Sequence, residues 1–88
     1  MNAQTLINKL RIDLEEADTI DFFESRVGLL TGYGAELPEN LDYLRSQAVK
    51  RNIESLQKDI FSAILPNYIS IRQKELDKIK SEYGHLIS

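Results

Sequence analysis

The sequence predicts an all-α fold: a small bundle of three to four antiparallel helices with one long central helix, self-associating, with residues 1–88 forming a single helical domain. Three observations predict it. Apolar residues recur at helical spacing along most of the chain. No run alternates with period two, so no sheet is expected. The backbone breakers fall in two places, Gly32-Tyr33-Gly34 leading to Pro38, and Pro66.

The first helix is expected from Ala3 to Ala17. Leu6, Leu10, Leu14 and Ala17 make one apolar stripe with Ile7 beside it, and Asn2 can cap the start. Asp18 and Thr19 provide a stop followed by a fresh cap. The second helix then begins at Ile20, with Asp21 and Glu24 near its positive N-terminal end. Ile20, Phe23, Val27 and Leu30 form its inner face. Phe22 and Leu29 widen that face, which implies cover on more than one side, and Gly28 implies a close helix crossing. Gly32 and Gly34 read as a C-cap and turn.

Pro38 suits the first residue of a third helix, which is expected to run to Leu65. Leu41, Leu44 and Ala48 begin its stripe, and Val49, Ile53, Leu56, Ile60, Ala63 and Ile64 continue it. Pro66 ends or kinks this helix. Ile69, Leu76 and Tyr83 recur every seven residues in a fourth helix, and Gly84 is the expected stop. A third helix of about 28 residues would be about 42 Å long. A compact chain of this size has a radius of gyration near 12 Å. The long helix should therefore overhang a monomer; either it is kinked or a second chain covers the excess, and the stripe's continuation to the last turn favours the second chain.

Composition excludes several functions. The chain has 88 residues, 42% hydrophobic and 28% charged, which supports a core and argues against wholesale disorder. Cysteine is absent and there is one histidine, His85, so thiolate sites, zinc clusters and Cys- or His-based catalysis have almost nothing to draw on. No metal site and no cofactor are expected. No apolar run approaches the roughly 20 residues of a bilayer span, and the start does not read as a signal peptide. These features predict a cytoplasmic protein that does not enter membranes.

The net charge of −3 speaks against a nucleic-acid coat, and it conceals a division. Residues 1–42 carry nine acids and three bases, −6; residues 43–88 carry five acids and eight bases, +3. The acidic end could hold a basic partner or join a neighbouring subunit; a solvated helix face would look the same. The early carboxylates lack the spacing of a di-iron or calcium site, and nothing marks an apolar pocket for a catalytic pair. Gly32-Tyr33-Gly34 is followed by Pro38 and Glu39, and no Lys-Ser or Lys-Thr follows, so it is no phosphate loop.

Two candidate surfaces remain. Tyr43, Arg45, Lys50 and Arg51 form a basic patch with an aromatic neighbour, a composition suited to a nucleotide or other anion. Ordinary pairing of Lys50 and Lys58 with Glu54 would account for part of it. Ile53, Leu56, Ile60, Ile69, Arg72 and Leu76 form the candidate partner interface; Arg72 sits where the heptad wants an apolar residue and could either snorkel or meet an acid from the first two helices.

Thr19-Ile20-Asp21 with Glu24 at a helix start, Glu36-Leu37 before the long helix and Pro66 after it resemble, over residues 4–71 with gaps, the Hha/YmoA family of small helical modulators that bind nucleoid-structuring proteins. The resemblance implies a regulatory helical protein. It departs at Lys50-Arg51-Asn52, where that family has Asp-His-Arg, and in lacking a Trp soon after Pro66. Membership does not follow from it. Four-helix bacteriocin-immunity proteins share the size and architecture by analogy alone. The expected function is that of a small non-enzymatic regulator or inhibitor acting through a protein partner or its own copies. The alternative is a small-ligand binder that sequesters a nucleotide or other anion.

Overall fold

The computed structural model describes residues 2–87, and these form four α-helices and no strand: α1 (Ala3–Glu16), α2 (Ile20–Gly32), α3 (Leu41–Ser62) and α4 (Pro66–Tyr83), followed by a 3₁₀ turn (Gly84–Leu86). The all-helical expectation holds, and most boundaries follow local chemistry. Asn2 Oδ1 accepts the Thr5 N–H at 2.8 Å and starts α1. Thr19 Oγ1 accepts the Phe22 N–H at 3.1 Å and starts α2. That helix closes in a Schellman motif: Ala35 N–H donates to Leu30 O and Gly34 N–H to Thr31 O, each at 3.0 Å. The motif needs a left-handed residue, and Gly34 supplies it with φ +69°.

The long helix is shorter than expected at both ends. Pro38 does not open it. Residues 38–41 instead make a turn in which Leu41 N–H donates to Pro38 O at 3.1 Å, and helix begins at Leu41. At the other end proline acts on its predecessor: Leu65 is extended, with φ −82° and ψ 121°, and Pro66 occupies the first turn of α4. Pro66 therefore separates two helices rather than kinking one. The α-helix stops where expected, with Gly84 as its C-cap, and this right-handed glycine passes the chain into the 3₁₀ turn.

The 22 residues of α3 make it the longest of these helices, and it packs against α1, α2 and α4. One apolar cluster holds the four together. It takes Leu10, Leu14 and Ala17 from the α1 side, Ile20, Phe23 and Leu30 from α2, Ala48, Val49, Ile53 and Leu56 from α3, and Leu76 and Ile79 from α4. Two expectations about α2 fail. Phe22 and Leu29 stay exposed, and a side chain built on Gly28 would meet no atom within 4 Å, so no close crossing explains that glycine.

An overhang presupposes a helix of about 28 residues in a compact globule, and the structure has neither. The radius of gyration is 15.0 Å and the extents are 46 × 30 × 17 Å, so the molecule is elongated and flat. At 22 residues α3 is about 33 Å long, and its last turn carries the half-buried Ile60 and the exposed Phe61. Flatness has a different consequence. At 17 Å the thin dimension is about one and a half helix diameters, so some helix faces have no layer above them.

Candidate interaction surface

The basic patch does not assemble as a cradle. The Arg45 guanidinium turns to α2: its Nε donates to Glu24 Oε1 at 2.5 Å, and its Nη1 donates to Asp42 at 3.2 Å. It also lies 5.5 Å from the centre of the Phe23 ring. The Glu24 hydrogen bond raises the Arg45 pKa above its ordinary value, against the opposing effect of burial. Beside this pair, burial raises the pKa of the Tyr83 hydroxyl, helped by the negative charge of Glu24.

Arg51 serves another element. Its Nε donates to Ala17 O at 2.8 Å and its Nη2 to Glu15 O at 3.3 Å, satisfying carbonyls at the end of α1. Tyr43 and Lys50 are exposed, seven residues apart, on the solvent side of α3. Both guanidiniums thus already hold protein acceptors on different helices.

The next residue, Asn52, was not singled out from sequence. It is 4% exposed, and its Oδ1 accepts the Ile20 N–H, the first of α2, at 2.9 Å. Two consecutive residues of α3 therefore bind the two sides of the α1–α2 corner. The sequence signal was there: an asparagine among Val49, Ile53 and Leu56 falls in the core phase.

The charge division acts within the chain. Arg45 joins Glu24 across α3 and α2, and Arg51 lies 3.8 Å from Asp18. Asp13 receives Lys9 and Arg26, both at 3.3 Å, and Arg26 stacks 4.1 Å over the Phe22 ring. Among the described residues no group of three or more His, Asp or Glu gathers as a metal site. An open groove of about 340 Å³ beside Asp13, Glu16, Asp18 and Phe22 is acidic. Another, about 380 Å³, between α2 and α4 mixes Asp21, Glu75 and Glu82 with Lys74 and Lys78, so neither collects the one-signed charge of an anion site.

The candidate partner interface is mostly internal. Ile53, Leu56 and Leu76 belong to the core, Ile60 is half-buried against it, and Ile69 on α4 is half-buried. Arg72 meets no acid from the first two helices. Its Nη1 donates to Glu75 Oε2 at 2.7 Å on the same helix, its guanidinium lies 5.2 Å from the Tyr68 ring centre, and its Nε is enclosed without an acceptor.

The exposed apolar surface lies further along. Burial stops at Leu56 and resumes at Leu76: among the described residues, none from 57 to 75 is buried. Here Phe61 is 93% exposed, Ile64 89%, Leu65 69% and Ile71 57%, with Tyr68 at 40%. Ile64, Leu65 and Tyr68 line a cleft with Asp59, about 160 Å³ in volume and too small for an ordinary ligand. Phe61 borders an open hollow with Glu54, Gln57 and Lys58. Ile64 was read as the end of an inward stripe and Phe61 was passed over. The signal for Phe61 was its position outside the phase of Leu56 and Ile60. No family model, curated protein or solved structure matches the chain.

Proposed function

We propose that this chain is a small non-enzymatic interaction protein, a cytoplasmic regulator or inhibitor that docks on a protein partner through the α3–α4 tip. The observation that carries the reading is the near-complete exposure of Phe61 and Ile64 beside Leu65. Surface apolar residues scattered singly are ordinary; a cluster of bulky ones at one end marks a contact surface. The three-residue connection between α3 and α4 favours an antiparallel pair, which would place both helix ends at that tip. No helix among the described residues is long and apolar enough to cross a membrane, in keeping with a water-borne role.

The experiment is capture on the immobilised full chain followed by amine cross-linking. The expected result is a defined protein cross-linked at Lys58, beside Phe61, and lost with Phe61→Glu. An unchanged set of captured proteins with Phe61→Glu would overturn the reading.

A further inference from the structure

The occupant of the tip can be specified from its charge and area, taking the docking reading above as the starting point. From Glu54 to Glu75 the charged residues are Glu54, Lys58, Asp59, Arg72, Lys74 and Glu75, three acids and three bases. The tip is therefore neutral, on a molecule whose first 42 residues carry −6. A neutral surface offers no steering to an acidic or a basic partner, and two such surfaces do not repel each other. A membrane is less suited, because Asp59 lines the same cleft as Ile64, Leu65 and Tyr68 and would be brought against the headgroups.

The area fits as well. The five exposed apolar residues together equal about three and a half fully exposed large side chains. At about 150–200 Å² each this is roughly 600 Å² per chain. Two such patches face to face remove about 1,200 Å², the lower end of a specific interface before any rim is added.

We infer that the tip is covered by the same tip of a second copy, so that two α3–α4 pairs meet around Phe61, Ile64 and Leu65 in a two-fold contact of four helices. Self-association in this form does not depend on an overhanging helix. The contact is apolar and isologous, so each substitution at the tip removes two side chains from the interface.

The test is sedimentation equilibrium of the full chain over a wide concentration range. A reversible dimer is expected, with a dissociation constant that changes less than about threefold between about 0.05 and 0.5 M salt, since no net charge is paired. Phe61→Glu and, independently, Ile64→Glu should each weaken it by about 100-fold or more. Tyr43→Ser, on an exposed part of α3 outside the tip, should leave it unchanged. Because Phe61 and Ile64 are almost fully exposed, circular dichroism and dilute-solution Tm should not fall in either variant. A wild-type monomer at about 0.5 mM, far above an ordinary micromolar constant, would overturn the inference. So would a dimer indifferent to both substitutions, or monomeric wild type that sediments with neutral phosphatidylcholine vesicles. A monomer that still captures a protein in a Phe61-dependent way would sink the self-contact while leaving the docking reading standing; loss of both would remove the two together.

Discussion

Asn52→Ala removes the oxygen that accepts the Ile20 N–H at 2.9 Å. The amide stays where it is, enclosed and without an acceptor, because water has little access to a side chain only 4% exposed. A buried donor left unpaired costs about 1–3 kcal/mol, so a loss near 2 kcal/mol is expected. For a domain of this size about 1 kcal/mol corresponds to roughly 5 °C, giving a fall in Tm of about 10 °C by calorimetry. Asn52→Leu sharpens the test: it fills the volume but supplies no acceptor, so it should not restore stability. Asn8→Ala, which loses only an exposed contact with Gln4, should change stability by less than about 0.5 kcal/mol. Amide exchange supplies the local readout, since Ile20 N–H should lose protection beyond the change in global stability. Wild-type stability in Asn52→Leu, or unchanged Ile20 exchange in Asn52→Ala, would refute the reasoning.

Two glycines of the α2 segment should respond in opposite directions. Gly28→Ala should raise stability by about 0.5–1 kcal/mol, because the added carbon meets nothing and the helix gains propensity. Gly34→Ala should lower it by about 1 kcal/mol at φ +69°; denaturant midpoints showing the same sign for both would contradict this account. The raised pKa of Tyr83 means that its contribution to stability is fully present below pH 10.0, the ordinary value, and is lost as pH rises through the folded value. Tyr83→Phe should make the alkaline decline of Tm shallower, measured by thermal melts across the alkaline range. Nucleoside phosphates should leave Tm unmoved, because Arg45 and Arg51 are already engaged. A ligand at 100 times its dissociation constant would add about 2.7 kcal/mol, and such a shift would revive the anion site.

Local signals marked much of the fold. Asn2, Thr19 and Gly34 act at the helix ends where they stand, and the stripes of Leu10 with Leu14, and of Ile20, Phe23 and Leu30, face the core. The errors arose where a local signal competed with the path of the chain. Pro38 is acceptable as a helix start, but here it belongs to the turn that leads from the Schellman motif into α3. Gly28 has no nearby group to accommodate and costs helix propensity without a packing return. The site was less legible. Periodicity shows that Ile53, Leu56 and Leu76 are buried but cannot say whether a helix of the same chain or of another buries them, and here all three belong to the chain's own core. A charged residue's partner is equally hidden when it is 21 or 34 positions away, as with Arg45 to Glu24 and Arg51 to Ala17.

The paired anchors at the α1–α2 corner bear on how this chain folds. The end of α1 and the start of α2 are satisfied by Arg51 and Asn52, side chains 32 to 36 residues downstream. An isolated segment of residues 1–40 would expose a carbonyl cluster at one helix end and an uncapped amide at the next. When α3 melts, the last carbonyls of α1 and the first amide of α2 lose their partners in the same event, while Thr19 still caps α2 locally. Two adjacent positions thus couple the corner to α3, and the Ile20 amide is expected to acquire full protection against exchange only after α3 has docked.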